Sequence, residues 1–154
     1  MLWQATRMER HSDRYMNITR LEADLKRDEG VRNFPYLCTQ DKLTIAVGRN
    51  LDDVGLSDDE VDYLLRNDIE RVINQLYAKI PHFGDFTEPR QRALANMAFQ
   101  LGINGLMKFK KMHEALKNGH YTRASVECLD SKYAEQTPLR AKRIAEIIKT
   151  GVET

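Results

Sequence analysis

The chain has 154 residues, of which 42% are hydrophobic and 31% charged, and its formal net charge is +1. That length suits one domain, or two small lobes around a shared core, and that composition excludes an intrinsically disordered chain. No run approaches the ~18 consecutive apolar residues of a membrane span, and no Arg/Lys-rich run or aromatic RNA-binding motif points to nucleic acid.

The segment Met1 to Tyr15 carries Arg7, Glu9, Arg10, Asp13 and Arg14. It therefore lacks the apolar core of a secretory signal and reads as an N-terminal extension of unknown role, with Met8 and Met16 as alternative starts. Residues 16–154 read as one domain. Asn17 is a good N-cap, Ile18, Leu21 and Leu25 repeat on one helical face, and Gly30 suits the position that ends the helix. Glu29 is thus the last residue of the first helix. Asn33-Phe34-Pro35 breaks the helix, and the segment that follows is read as short and irregular. Leu43-Thr44-Ile45-Ala46-Val47 has strand composition, so a small hairpin sheet is expected between about Tyr36 and Arg49.

Ser57-Asp58-Asp59-Glu60 has the form of a capping box. Val61, Leu65, Ile69, Val72, Ile73, Leu76 and Ile80 then recur at three to four residues, which predicts a helix of about six turns stopped by Pro81. A helix that long often spans two lobes, here residues 16–56 and 81–154. Thr87-Glu88-Pro89 opens the next helix. Ala93, Leu94, Met97, Ala98, Phe99 and Leu101 make it apolar nearly all round, so it is expected at the centre of the second lobe. Gly102 and Gly105 interrupt it. Further helices are predicted over Leu106 to Lys117, Tyr121 to Cys128 and Leu139 to Lys149. The last has Thr137 as N-cap, Pro138 at its first position and Gly151 as its stop. The expected fold class is α+β, mainly α.

Charge is unevenly spread. Residues 16–80 hold nine Lys/Arg against thirteen Asp/Glu, and residues 81–154 hold twelve against eight. Solvated helix faces explain this, and so does a basic face that holds an anionic partner. Cys38 and Cys128 are expected as two free thiols. His11, His82, His113 and His120 lack the spacing of a metal site, so no metal and no cofactor are expected.

Cleavage of a glycosidic bond needs an acid for the leaving oxygen and a second group that activates water or attacks the sugar. Glu29, at the C-terminal end of its own helix, is a candidate acid. Eight residues separate it from Cys38, and five more separate Cys38 from Thr44. With this spacing the sequence resembles the phage endolysins of glycoside hydrolase family 24, the T-even phage lysozyme type, whose signature is Glu, Asp or Cys, then Thr. Arg92 to Gly102 looks like that family's central helix, and Tyr133 to Arg143 like its wall-binding turn and final helix.

The resemblance implies a lysozyme-like fold with a small hairpin-bearing N-terminal lobe, a connecting helix over 57–80 and a helical C-terminal lobe. It implies a muramidase in which Glu29 is the general acid, Cys38 stands at the Asp/Cys position and Thr44 helps hold the attacking water. It further implies that Phe99, Gln100 and Tyr133 line the saccharide site, that Arg140 faces the glutamate, and that Asp28 and Arg143 form a buried ion pair. The implied partner is bacterial peptidoglycan, with a monomeric enzyme held in the host cytoplasm until a holin opens the way to the wall. Delivery within a virion is the alternative. Cys38 would act as base, giving inversion, or as nucleophile, giving retention, in either case as a thiolate or through a strong hydrogen bond. A lytic transglycosylase needing only the glutamate, a non-catalytic wall-binding or virion protein, and a thiol hydrolase pairing Cys38 with His82 are the competing readings.

The chain also departs from the family pattern. Arg49 replaces a histidine, and an Arg49–Asp68 salt bridge is expected in its place. Ala46 replaces a glycine and is expected to tighten the hairpin. Asp41 stands where a turn glycine is common.

Overall fold

The computed structural model describes residues 16–153. Residues 1–15, read above as an extension, lie outside that range. The chain divides into two compact units, one up to Asp58 and one from Asp59 onward.

In the first unit, helix α1 spans Ile18–Glu29. The Asn17 side chain caps it by accepting from the Arg20 amide at 2.9 Å, and Gly30, at φ 78°, donates its amide back to the Lys26 carbonyl. Both ends are therefore set by the residues the sequence supplies for them. A three-stranded antiparallel sheet follows, in the order β1 (Arg32–Leu37), β2 (Leu43–Ala46), β3 (Arg49–Asn50). The segment containing Pro35 is thus an edge strand rather than irregular chain. Its pairing with β2 slips between Arg32 and Tyr36, and an edge position with a bulge is where a residue lacking an amide hydrogen fits a sheet.

The second unit is helical. Helix α2 spans Asp58–Lys79, beginning directly after Ser57, and a 3-10 turn spans Phe83–Asp85. Helix α3 spans Glu88–Met107 and is broken at Gly102, whose φ of 74° no helix accommodates. It takes in Leu106 and Met107, so the next helix, α4, starts later than the sequence suggests, at Lys110, and runs to Lys117. Helix α5 spans Tyr121–Leu129, a short α6 spans Lys132–Gln136, and α7 spans Pro138–Thr150, closed by Gly151 in the left-handed conformation. The hydroxyl of Thr137 does not cap α7; it donates to the Tyr133 carbonyl at 3.0 Å. Among the described residues no helix is long and apolar enough to cross a membrane.

The core belongs to this second unit. Leu76, Leu94, Met97, Leu106, Met112, Leu116, Cys128 and Ile148 are its fully enclosed large side chains. Burying a Leu- or Met-sized side chain contributes about 1.5–3 kcal/mol, so this cluster carries most of the driving force for the unit. The central role expected of α3 holds for Ala93, Leu94, Met97 and Ala98, but Phe99 is 47% exposed. Arg90, only 8% exposed, ties the start of α3 to the end of α7: it donates to the carbonyls of Ile148 at 2.8 Å and Lys149 at 3.1 Å. Its guanidinium also lies 3.4 Å over the Tyr121 ring. The negative end of α7 stands in for a carboxylate partner.

Candidate active site

Glu29, Cys38 and Thr44 all lie in the first unit, at the end of α1 and in the hairpin of β1 and β2. Glu29 is presented by the helix stop: Gly30 turns the chain away, and the carboxylate extends over the turn between β2 and β3. A Cβ placed on Gly48 would lie 3.3 Å from Glu29 Oε2. Gly48, at φ 69°, is therefore required twice, by the backbone conformation and by the approach of the carboxylate.

Cys38 sits where β1 enters its turn. Its amide donates to the Lys42 carbonyl at 3.0 Å, and the Asp41 amide returns to the Cys38 carbonyl at 2.9 Å. This is a three-residue hairpin loop, Thr39-Gln40-Asp41, whose last residue must be left-handed. Asp41 takes that place at φ 55°, a conformation Asp tolerates better than most residues. Hydrogen bonds from the Gln40 and Lys42 amides, and secondarily from the Thr44 hydroxyl, hold the Cys38 thiol below its ordinary range despite partial desolvation. Both cysteines are free. Cys128 is the opposite case: it is fully buried in the helical unit, and burial pushes its thiol up to about 11.

Thr44, 4% exposed, is the one buried residue among the described residues of the first unit. It pairs with both neighbouring strands, opposite Tyr36 on β1 and Asn50 on β3. Its hydroxyl donates to the Lys42 carbonyl at 2.9 Å. A hydroxyl has a single hydrogen, so it serves either that carbonyl or a Cys38 thiolate.

Sequence reasoning missed the charged frame around this turn. Lys42 Nζ bonds Asp53 Oδ1 at 3.0 Å, Asp53 Oδ2 accepts from Asn50 Nδ2 at 2.8 Å, and Asp52 Oδ2 accepts from the Leu43 amide at 2.8 Å. The run Asn50-Leu51-Asp52-Asp53 was the available signal, since Asx residues after a short strand commonly cap a turn. Arg49 donates to the Gly55 carbonyl at 3.1 Å. Ala46, at φ 60°, carries its methyl in the left-handed region, so the residue expected to tighten the hairpin imposes a conformational cost. Asp28 is exposed and held by Arg27 at 2.8 Å.

The other residues expected at the site lie in the second unit. Phe99 and Gln100 are exposed on α3, and Arg140 donates to the side chain and carbonyl of Asn96 at 2.7 and 3.1 Å. Asp68 is paired with Arg71 at 2.7 Å. Tyr133 is 3% exposed, with its ring edge-on to Phe109 at 6.3 Å, so it presents no open face.

Known proteins bear out the family reading. The family description "Phage lysozyme" matches residues 26–146. The chain is 26% identical over 163 residues to Probable T4-type lysozyme 2 of Dictyostelium discoideum, covering 87% of this chain and 96% of that protein. It is 29% identical over 155 residues to the Pre-baseplate central spike protein Gp5 of Enterobacteria phage T4, covering 82% of this chain but 27% of that protein. A third similarity, 34% identity over 62 residues, is to Probable T4-type lysozyme 1 of Dictyostelium discoideum, with 40% and 36% covered. The chain belongs to the phage lysozyme family. Its function is accordingly of the lysozyme type.

Proposed function

We propose that the protein is a muramidase that hydrolyses β-1,4 bonds between N-acetylmuramic acid and N-acetylglucosamine in bacterial peptidoglycan. Glu29 protonates the leaving oxygen, Cys38 acts as a thiolate on water or on the sugar, and Thr44 orients the attacking water. One observation carries this reading: the chain's only partly exposed thiol stands in a turn whose amides favour its thiolate, in the same unit as Glu29 and beside the buried hydroxyl of Thr44. Exposed Phe99 and Gln100, with Arg140, are the saccharide-contacting groups of this proposal. Release into the wall would lyse a bacterial host. The similarity to a part of a central spike protein supports delivery on a virion as the other route.

The test is mass spectrometry of purified Gram-negative peptidoglycan digested by the wild type and by Glu29→Gln. Muropeptides ending in reducing N-acetylmuramic acid, absent with the variant, are expected. Products one water lighter, with anhydro ends, would make the enzyme a lytic transglycosylase. Intact glycan after wild-type treatment would remove the enzymatic reading.

A further inference from the structure

We propose that Lys42 is a positioning residue that keeps Cys38 in the thiolate form on which its role at the site depends. This rests on the muramidase reading, because a carboxylate at that position would be ionised at neutral pH unaided, whereas a free thiol is mostly protonated there.

The hairpin register places Lys42 directly across from Cys38. Leu37 pairs with Leu43, and the Cys38 amide bonds the Lys42 carbonyl, so Cys38 and Lys42 face each other across the hairpin at the mouth of its loop. Residues directly opposite on antiparallel strands project to one side with their Cβ atoms about 4.5–5.5 Å apart. A lysine side chain normally wanders, but this one is tethered. Its Nζ bonds Asp53, and Asp53 is itself fixed twice by Asn50, through Asn50 Nδ2 at 2.8 Å and through its own amide to Asn50 Oδ1 at 3.0 Å. Asp53 first, then Asp52 and, least, the Cys38 thiolate hold the Lys42 ammonium above its usual range, so the two side chains are within electrostatic reach of each other.

The remaining charged groups around the turn are mostly acidic. Asp41 is exposed in the loop, Asp52 is bound to the Leu43 amide, Asp53 is shared between Lys42 and Asn50, and Glu29 comes from the end of α1. Arg32, on β1, is held over the Tyr36 ring at 4.8 Å. Carboxylates disfavour a second negative charge, and Lys42 is the cation set directly across the hairpin from Cys38. The amides of Gln40 and Lys42 belong to the backbone, so they survive a change of the lysine side chain. The two sources of stabilisation can therefore be separated.

The experiment follows alkylation of the full-length protein by iodoacetamide between pH 6 and 9, with each cysteine located by mass spectrometry. Cys128 is the internal reference, because burial keeps it unreactive in the folded chain. In Lys42→Met the Cys38 rate at pH 7 is expected to fall about three- to tenfold while the high-pH limit is unchanged, since an opposite charge nearby favours the ionised form. Lys42→Arg should restore the wild-type profile, and the acid limb of peptidoglycan clearing should move to higher pH with Lys42→Met. Lys42→Gln repeats the measurement if the Met variant unfolds, which exposure of Cys128 would reveal. An alkylation profile identical in wild type and folded Lys42→Met or Lys42→Gln overturns the proposal. Failure of the muramidase reading is seen elsewhere, in a Glu29→Gln chain that still cleaves or a wild type that does not, and neither result alters the alkylation profile.

Discussion

Two residues in the turn between β2 and β3 occupy the left-handed region, Ala46 at φ 60° and Gly48 at φ 69°, yet only one of them is glycine. Exchanging Ala46 for glycine removes a Cβ whose left-handed placement costs about 1–2 kcal/mol. Part of this is offset, because glycine gains freedom in the unfolded chain by roughly 0.4–1 kcal/mol. The net expectation for Ala46→Gly is a stabilisation of about 0.5–1 kcal/mol, or a rise in Tm of ~1–4 °C for a chain of this size. Gly48→Ala reverses the sign by a similar amount and adds a contact, since its new Cβ would stand 3.3 Å from Glu29 Oε2. The carboxylate must then shift by a few tenths of an ångström. A displacement of 1 Å at a reacting group can cost ~100-fold in rate, so a several-fold loss of peptidoglycan clearing is expected from Gly48→Ala. Urea denaturation at pH 7 and a clearing assay measure both effects on the same preparations. A destabilised Ala46→Gly, or a Gly48→Ala as stable and active as the parent, would refute the reasoning.

Two other expectations concern the helical unit. Arg90→Met removes two hydrogen bonds from a charged donor and the contact over Tyr121; with about 1.5–3 kcal/mol for each such bond, less the desolvation relieved, a loss of roughly 2–4 kcal/mol is expected in urea melts. A loss under about 1 kcal/mol would mean that α7 is closed without it. His113 donates from Nε2 to the Leu106 carbonyl at 2.9 Å, which fixes its tautomer and leaves a buried, unpartnered lone pair on Nδ1. Burial, and secondarily the charge of His82, hold its pKa below the usual histidine value, so the folded unit keeps the ring neutral while the unfolded chain protonates it. The stability this contributes is whole above the unfolded value of about 6.5 and is lost as pH falls below it. His113→Leu should flatten the stability profile between pH 7 and 5, and an equal slope in both proteins would count against the assignment.

What was legible in the sequence is what local chemistry decides. Asn17 and Gly30 bound α1 as written, Gly151 ends α7, and the apolar period of α3 marks the residues that fill the core. The spacing of Glu29, Cys38 and Thr44 was likewise readable, because it is a property of the chain itself. The misses come from tertiary context. Pro35 signals a break, yet an edge position and a bulge let its segment pair as β1. Gly102 breaks α3, but helical chain resumes beyond it as far as Met107, which moves the start of α4 to Lys110. Tyr133 shares the residue type of a sugar-stacking aromatic, but only packing decides that its ring meets Phe109 in the core. The bond from Lys42 to Asp53 joins residues eleven apart, and no periodicity announces it.

The hairpin shows what a partly exposed thiol needs from the backbone around it. Amide hydrogen bonds to the sulfur require the Thr39-Gln40-Asp41 loop to close tightly, and closure requires Asp41 to hold φ 55°. Thr44 can be enclosed only if β2 is paired on both edges, and β3 can return beside it only through the left-handed backbone of Ala46 and Gly48. Three left-handed residues within eight positions therefore bracket the one buried hydroxyl among the described residues of this unit. Non-glycine residues in that region cost on the order of 1–3 kcal/mol each and persist only where the surroundings hold them. Here the surroundings are themselves small, a short sheet whose described residues bury nothing but Thr44. The polar frame of Lys42, Asn50, Asp52 and Asp53 supplies what a core would supply elsewhere, so the lysine proposed to favour the thiolate also belongs to the frame that holds the turns in place.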